Sequence, residues 1–343
     1  MKRWALLVCV VFGAALHGAE PATWQRLADI PAQLRFRLSS FEGGEYQPRL
    51  AQSKDMRHLG KHILQADLAA RPLDAVTLTT SISLRQNIIG NDVSFEEFSA
   101  MYAAGHYRVG YRYFRLGLGE GSELFTRNVL HPYHREPVLE TYDFYGAEAG
   151  AKLGGYALLT RAGGNDYNAG LAQLGVRRES AAGHVELSVL GTGHDNRSYS
   201  AMYALVQEAR LRLGAFSLYD AVMVRHYPDF DDGEAETWHS GIVEGGWLPC
   251  PAFEFLTNYC WEHFASHTWR VNTLGTWTPG RVSVALGWEY YHREAFCDRA
   301  YTLLAMYHLQ EGWQLGLNAA HSHPLVGEDA YRLGVQTTLD ISL

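Results

Sequence analysis

The chain has 343 residues, with 29 Lys and Arg against 37 Asp and Glu, a formal net charge of −8, and four cysteines. That acidic balance excludes a general attraction to nucleic acid, and so few cysteines in so long a chain exclude a disulfide-built scaffold. Aromatic residues are plentiful, at 20 Tyr, 14 Phe and 9 Trp.

The first element is a leader. Lys2 and Arg3 precede the apolar run "WALLVCVVFGAAL", and small residues follow. A basic start, an apolar core and a small-residue exit predict a secretory signal peptide over residues 1–19. Ala15 and Ala19 are the candidate cleavage points, with Ala19 favoured. Cleavage there leaves 27 basic against 37 acidic residues, a net of −10. It also removes Cys9, so that Cys250, Cys260 and Cys297 remain, an odd set without metal spacing. No later stretch approaches the roughly 20 apolar residues that a membrane helix needs. Residues 20–32 read as a short segment ahead of the folded part, 33–343.

From there the chain alternates. In "VTLTTSISLRQ", Val76, Leu78, Ile82 and Leu84 oppose Thr77, Thr79, Ser81 and Arg85. In "RVSVALGWEYYHR", Val282, Val284, Leu286, Trp288 and Tyr290 oppose Ser283, Ala285, Gly287 and Glu289. A period of two is the strand signal. Strands are predicted near 33–41, 45–53, 59–70, 74–87, 103–118, 138–149, 151–162, 166–178, 183–193, 198–213, 215–226, 236–247, 252–264, 267–278, 280–293, 299–309, 312–321 and 329–343. Pro48 weakens the second, because proline cannot donate to a ladder. A further strand is open at 121–130. The count is 16–18. Between the strands lie Gly- and Pro-rich breakers, including 70–74, 119–121, 248–251, 278–280 and 310–312, which read as tight turns.

One segment departs from alternation. In "DVSFEEFSAMYAAG", Ser94 and Glu97 form a capping-box pattern, and Phe95, Phe98, Met101 and Tyr102 recur at helical spacing. Two readings stand for 92–101: a loop helix folding into the mouth of whatever the strands enclose, or an outer loop helix or simply the start of the next strand.

Many strands run to ten residues or more, and about nine to eleven tilted residues cross a bilayer. Short turns alternate with longer polar loops such as "RHYPDFDDGEAET" and "HSHPLVGED", and aromatic residues gather near strand ends, as in membrane barrels. The final segment "YRLGVQTTLDISL" alternates to Leu343 without a break. In these features the chain resembles a Gram-negative outer-membrane β-barrel protein of porin-like size. The resemblance covers nearly the whole mature chain and is one of architecture. It implies an all-β fold, a transmembrane antiparallel up-and-down barrel, with residues 20–32 in the periplasm. It implies contact with outer-membrane lipid and lipopolysaccharide, and a last strand read by the barrel-insertion machinery. That strand usually closes on an aromatic residue; this one closes on Leu343.

A barrel of 16–18 strands encloses a lumen, and the expectation is a diffusion channel for small hydrophilic solutes. By parity the inward face carries Arg35, Arg37, Arg85, Arg108, Arg112, Arg210, Arg212 and Arg332. It also carries Glu148, Glu186, Glu254, Glu262, Glu289 and Asp340. Walls of opposite charge would orient polar solutes; the bland alternative is locally paired wet residues without selectivity. No His is followed two residues later by Ser, and no Asp-x-His occurs, so the patterns of barrel hydrolases are missing and no enzyme is predicted. The pairs His131/His134, His263/His267 and His321/His323 lack a completing carboxylate or thiolate, so no metal or cofactor is predicted. The acidic stretch "DFDDGEAE" is either a cation bridge to lipopolysaccharide or a solvated loop. A non-conducting sheath for a protein partner, an adhesin, and a homotrimer remain open.

Overall fold

The computed structural model describes residues 32–46, 57–87, 90–116, 122–126, 142–165, 170–193, 201–230, 234–263, 267–293, 296–310, 312–324 and 329–342. The predicted signal peptide, Pro48, His131, His134, residues 231–233 of the acidic stretch and Leu343 lie outside these residues. The strands are β1 (Ala32–Tyr46), β2 (Arg57–Leu73), β3 (Val76–Asn87), β4 (Gly90–Ala104), β5 (Tyr107–Leu116), β6 (Tyr142–Leu153), β7 (Tyr156–Gly164), β8 (Gly170–Ser180) and β9 (Gly183–Thr192). They continue with β10 (Met202–Leu213), β11 (Phe216–Phe230), β12 (Glu234–Cys250), β13 (Phe253–His263), β14 (His267–Trp277), β15 (Val282–Arg293), β16 (Phe296–Gln310), β17 (Trp313–Pro324) and β18 (Ala330–Ser342). A four-residue helix, α1 (Glu123–Thr126), lies between β5 and β6. Among the described residues no helix is long and apolar enough to cross a membrane.

Each strand pairs antiparallel with the next in sequence, and β1 pairs with both β2 and β18. Leu38 faces Leu339 on one side and Leu64 on the other. The sheet is therefore an 18-stranded closed barrel. Closure explains the uninterrupted last strand: in hydrocarbon each unpaired amide costs several kcal/mol, so β18 must complete its ladder on β1. At that seam Gly43 faces Gly334, and the Phe41 ring lies across both.

Five glycines with φ between 56° and 74° (Gly105, Gly154, Gly214, Gly280 and Gly312) sit in tight connections on one rim, where left-handed backbone lets the chain reverse at once. The opposite rim carries the longest connection, 117–141, between β5 and β6. Residues 119–121, expected as a tight turn, belong to that long connection instead.

The segment read either as a loop helix or as the start of the next strand is a strand, β4, paired along its length with β3. The reason lies in a β-bulge. Ser81 pairs with Glu97 but Ile82 pairs with Phe95, so Glu96 is an inserted residue that resets the parity. Phe95 and Phe98, three apart, then face Ile82 and Thr80, which share one face of β3. Phe98 and Tyr102, four apart, share a face in a helix and in a strand alike. The bulge thus gives a strand the spacing of a helix. The strand expected at 33–41 runs on to Tyr46 as β1, most of the one expected at 45–53 lies outside the described residues, and within the strand left open at 121–130 residues 123–126 form α1.

Leu64, Leu205, Leu286, Leu317 and Leu333 are exposed on the outer face. Aromatic bands flank them: Phe216, Trp247, Trp277, Tyr307 and Trp313 toward the tight-turn rim, and Tyr203, Tyr259, Trp288, Tyr301 and Tyr331 toward the other. Trp277 and Trp269 on β14 are eight residues apart, about 26 Å along the strand at the usual rise. With a tilt of about 40° that is roughly 20 Å across the barrel wall, close to the apolar band of a membrane barrel.

Candidate functional site: the lumen and its constriction

Alternation places polar side chains on the inner wall, and the hydrogen bonds there run from strand to strand. On β5 to β9 they centre on Glu148, which is 1% exposed. Arg108 Nη2 lies 3.2 Å from its Oε1. Arg112 Nη1 and Arg161 Nε approach Oε2 at 3.3 and 2.9 Å. Arg161 also donates to Gln173 at 3.2 Å, and Gln173 to Ser188 at 3.2 Å. Three guanidiniums on one carboxylate leave an excess of positive charge. The side chains of Arg108 and Arg112 remain 52% and 31% exposed, toward the interior.

Six strands further round from Glu148, Glu244 of β12 organises a second part of the wall. It is buried. Its carboxylate accepts hydrogen bonds from Ser122 Oγ, from the backbone N–H of Glu123 at 2.7 Å and from that of Leu124 at 3.2 Å. The first N–H groups of an α-helix have no acceptor within the helix itself, and a carboxylate is their natural acceptor. Asn258 donates to Glu244 at 3.4 Å, and Asn272 to Asn258 at 2.7 Å. Arg212 Nη2 holds Glu123 at 3.2 Å from β10. Leu124, 3% exposed, packs with Leu256, Leu274, Ala285, Leu304 and Met306 on the inner face of β13 to β16. A wall carboxylate, an arginine and an apolar anchor therefore hold residues 122–126 inside the barrel. The constricting segment comes from the β5–β6 connection and not from 92–101.

The other residues expected inward are placed as follows. Arg35 Nε donates to Asp340 Oδ1 at 2.7 Å. Arg37 Nε donates to Asp67 Oδ2 at 3.1 Å, and Asp67 also accepts from Gln65 at 2.8 Å and from Ser81. Arg332 pairs with Glu45. The Arg210 guanidinium lies 5.6 Å from the Tyr219 ring centre. Arg85 stands opposite Ile63 in the β2–β3 register. Glu186 stands between Arg177 and Glu208, and Glu254 opposite Thr276. Glu262 and Glu289, expected on an acidic arc, each face an arginine. Arg225 Nη2 is 3.1 Å from Glu262, and Arg270 Nε is 3.5 Å from Glu289.

Arg225 and Arg270, each 1% exposed, are absent from the set expected by parity, as are Arg161, Glu244, Asn258 and Asn272. In "TWRVNTL" the alternation of Arg270 and Asn272 with Trp269 and Val271 marks them. Around Arg225 it is masked, because the inner face there is itself apolar. Phe144, Leu171, Leu190, Met202, Tyr219, Met223, Tyr227, Trp238 and Ile242 form one buried cluster. With Leu218, Val222 and Val224 on the other side of β11, both faces read as greasy. The interior, expected to be wholly wet, therefore carries a large apolar cluster beside its polar networks. Among the described residues no group of three His, Cys, Asp or Glu side chains is arranged to hold a metal ion.

No protein-family model matches the chain, and no curated protein matches it. Solved structures do. The chain is similar to OccK3 (OpdO) of Pseudomonas aeruginosa, with a TM-score of 0.60 at 9% identity over 94% of this chain and 100% of that one. It is similar to the outer membrane protein OpdK of the same organism, with a TM-score of 0.57 at 11% identity over 91% and 99%. It is also similar to a loop-deleted form of OmpT, an outer membrane protein of Vibrio cholerae, with a TM-score of 0.54 at 9% identity over 90% and 99%. At these identities the likeness is one of fold: the chain has the architecture of outer-membrane porins.

Proposed function

We propose that the chain is a channel in the outer membrane of a Gram-negative bacterium, passing small solutes by diffusion and favouring anions that carry an apolar body. One observation carries this reading. A closed barrel of 18 strands is narrowed by a docked segment, and on another part of the wall Arg108 and Arg112 point partly exposed guanidiniums inward from an over-neutralised Glu148. An anion crossing there meets fixed positive charge on the β5 wall. The fold neighbour OpdK has also been crystallised with vanillate, a solute of that description. The tight-turn rim, where β1 begins and β18 ends, is then periplasmic, as in other membrane barrels.

Reversal potentials in planar bilayers test the reading. The wild-type protein should prefer anions, and Arg108→Ala with Arg112→Ala should move the reversal potential toward cation preference. Identical selectivity in the two would refute a role for these arginines. A silent bilayer with a copurifying protein would favour the sheath instead.

A further inference from the structure

Among the described residues, ionisable side chains stand on the outer face well inside the aromatic bands at two places. The first is on β10 and β11. Asp220 alternates with the exposed Leu218 and with Val222 and Val224, so it shares their outward face. It lies four residues from Phe216 of the lower band. Gln207 Nε2 donates to Asp220 Oδ2 at 2.7 Å. No cation among the described residues pairs with Asp220. The second place is on β1 and β2. Glu42 shares the outward row of Leu38 and Ser40 and lies four residues below Tyr46. His62 Nε2 lies 2.8 Å from Glu42 Oε1, and its Nδ1 is 2.8 Å from Ser40 Oγ.

Ionisable groups facing hydrocarbon are expensive, and proteins keep them by covering them. The two islands are chemically complementary. One holds a carboxylate with a single amide for company. The other holds an imidazole that, when protonated, donates through Nδ1 to Ser40, leaving the Ser40 hydroxyl hydrogen free to donate outward. The surface beside Asp220 also has room. Its cross-strand neighbours are Ala209 and Val243, and a Cβ added at the adjacent Gly245 would meet nothing within 4 Å.

We propose that the two islands are the halves of one interface between copies of this chain. The β10–β11 seam of one copy packs on the β1–β2 seam of the next, and Ser40, backed by His62, donates to the neighbour's Asp220. One imidazolium then serves two carboxylates, Glu42 of its own chain and Asp220 of the next. The seams are nine strands apart in a closed sheet of 18, so the contact and its counterpart point about 180° apart. A ring of three would need them about 60° apart, so this heterologous contact builds rows in the membrane plane rather than a closed trimer. The proposal rests on the membrane-barrel reading but not on conduction.

Cysteine cross-linking in intact outer membranes tests it. The background is Cys250→Ser with Cys297→Ser; Cys260 is fully buried and stays. Chains bearing Asp220→Cys are coexpressed with chains bearing His62→Cys and treated with a short bis-maleimide. Mixed 62–220 dimers should dominate, and a chain bearing both substitutions should give a ladder beyond dimers. Same-site dimers alone, or no product from chains whose heat-modifiable mobility shows a folded barrel, would overturn the proposal. If the cysteine chains do not insert, native mass spectrometry of wild-type and Ser40→Ala protein decides. Loss of multimers in the variant supports the row, and equal distributions overturn it. Absence of the wild-type protein from the outer membrane would instead sink the membrane reading itself.

Discussion

Replacing Glu244 with alanine should release the constriction in a graded way. The substitution strips the acceptor from Ser122 Oγ and from the N–H groups of Glu123 and Leu124. Hydrogen bonds to a charged group contribute about 1.5–3 kcal/mol each. The low end applies here, because water in the lumen competes for the freed donors. Three such bonds amount to about 4–5 kcal/mol, a shift of roughly a thousandfold in the docked-to-undocked ratio. Leu124 opposes release, since its burial stabilises docking by about 2 kcal/mol. Glu244→Ala should therefore flicker between two conductance levels in single-channel recordings. Glu244→Ala with Leu124→Ala should stay in the larger one. Glu244→Gln, which keeps one carbonyl acceptor, should lie nearer the wild type. Wild-type conductance and noise in both the single and the double variant would refute the assignment of residues 122–126 as the constriction.

Other expectations follow from single contacts. Arg270→Met removes the guanidinium 3.5 Å from Glu289, which is 16% exposed, and should destabilise the barrel by about 3 kcal/mol in urea unfolding; adding Glu289→Gln should recover most of that loss. At the closure seam a Cβ on Gly334 would collide with the Phe41 ring and come within 2.6 Å of the Glu42 carbonyl. Gly334→Ala should therefore cost about 1–3 kcal/mol, and Phe41→Ala should relieve only part of it, because the carbonyl cannot retreat. In the β17–β18 connection, hydrogen bonding from His323, with His321 Nε2 3.5 Å away, holds the Asp329 carboxyl below its ordinary value of 3.8. A carboxyl depressed in the fold adds stability above its unfolded value and loses it as pH falls through the folded one. Amide exchange at Ala330 should accelerate below about pH 4 in the wild type, and Asp329→Asn should abolish that dependence.

Sequence alone was enough for the barrel, because a period of two survives any tertiary arrangement: a residue and its second neighbour share a face wherever the strand goes. Thirteen alternating residues at the end, tight glycine turns and aromatic strand ends together imply a closed sheet in lipid. What parity could not supply was anything that depends on two distant segments meeting. The bulge at Glu96 became visible only once β3 and β4 were paired, and without it the spacing of Phe95, Phe98 and Tyr102 reads as a helix. Nothing in "SELFT" says that its amides end on Glu244, more than a hundred residues later, so the constriction was sought in the wrong connection. Arg225 and Glu262 meet across an intervening strand, and each alone reads only as a charge on a wall. The apolar inner cluster erased the very contrast on which parity depends. Local chemistry set which face each side chain takes; the ring of pairings decided what stands across from it, and in a lumen that opposition is where any selectivity must arise.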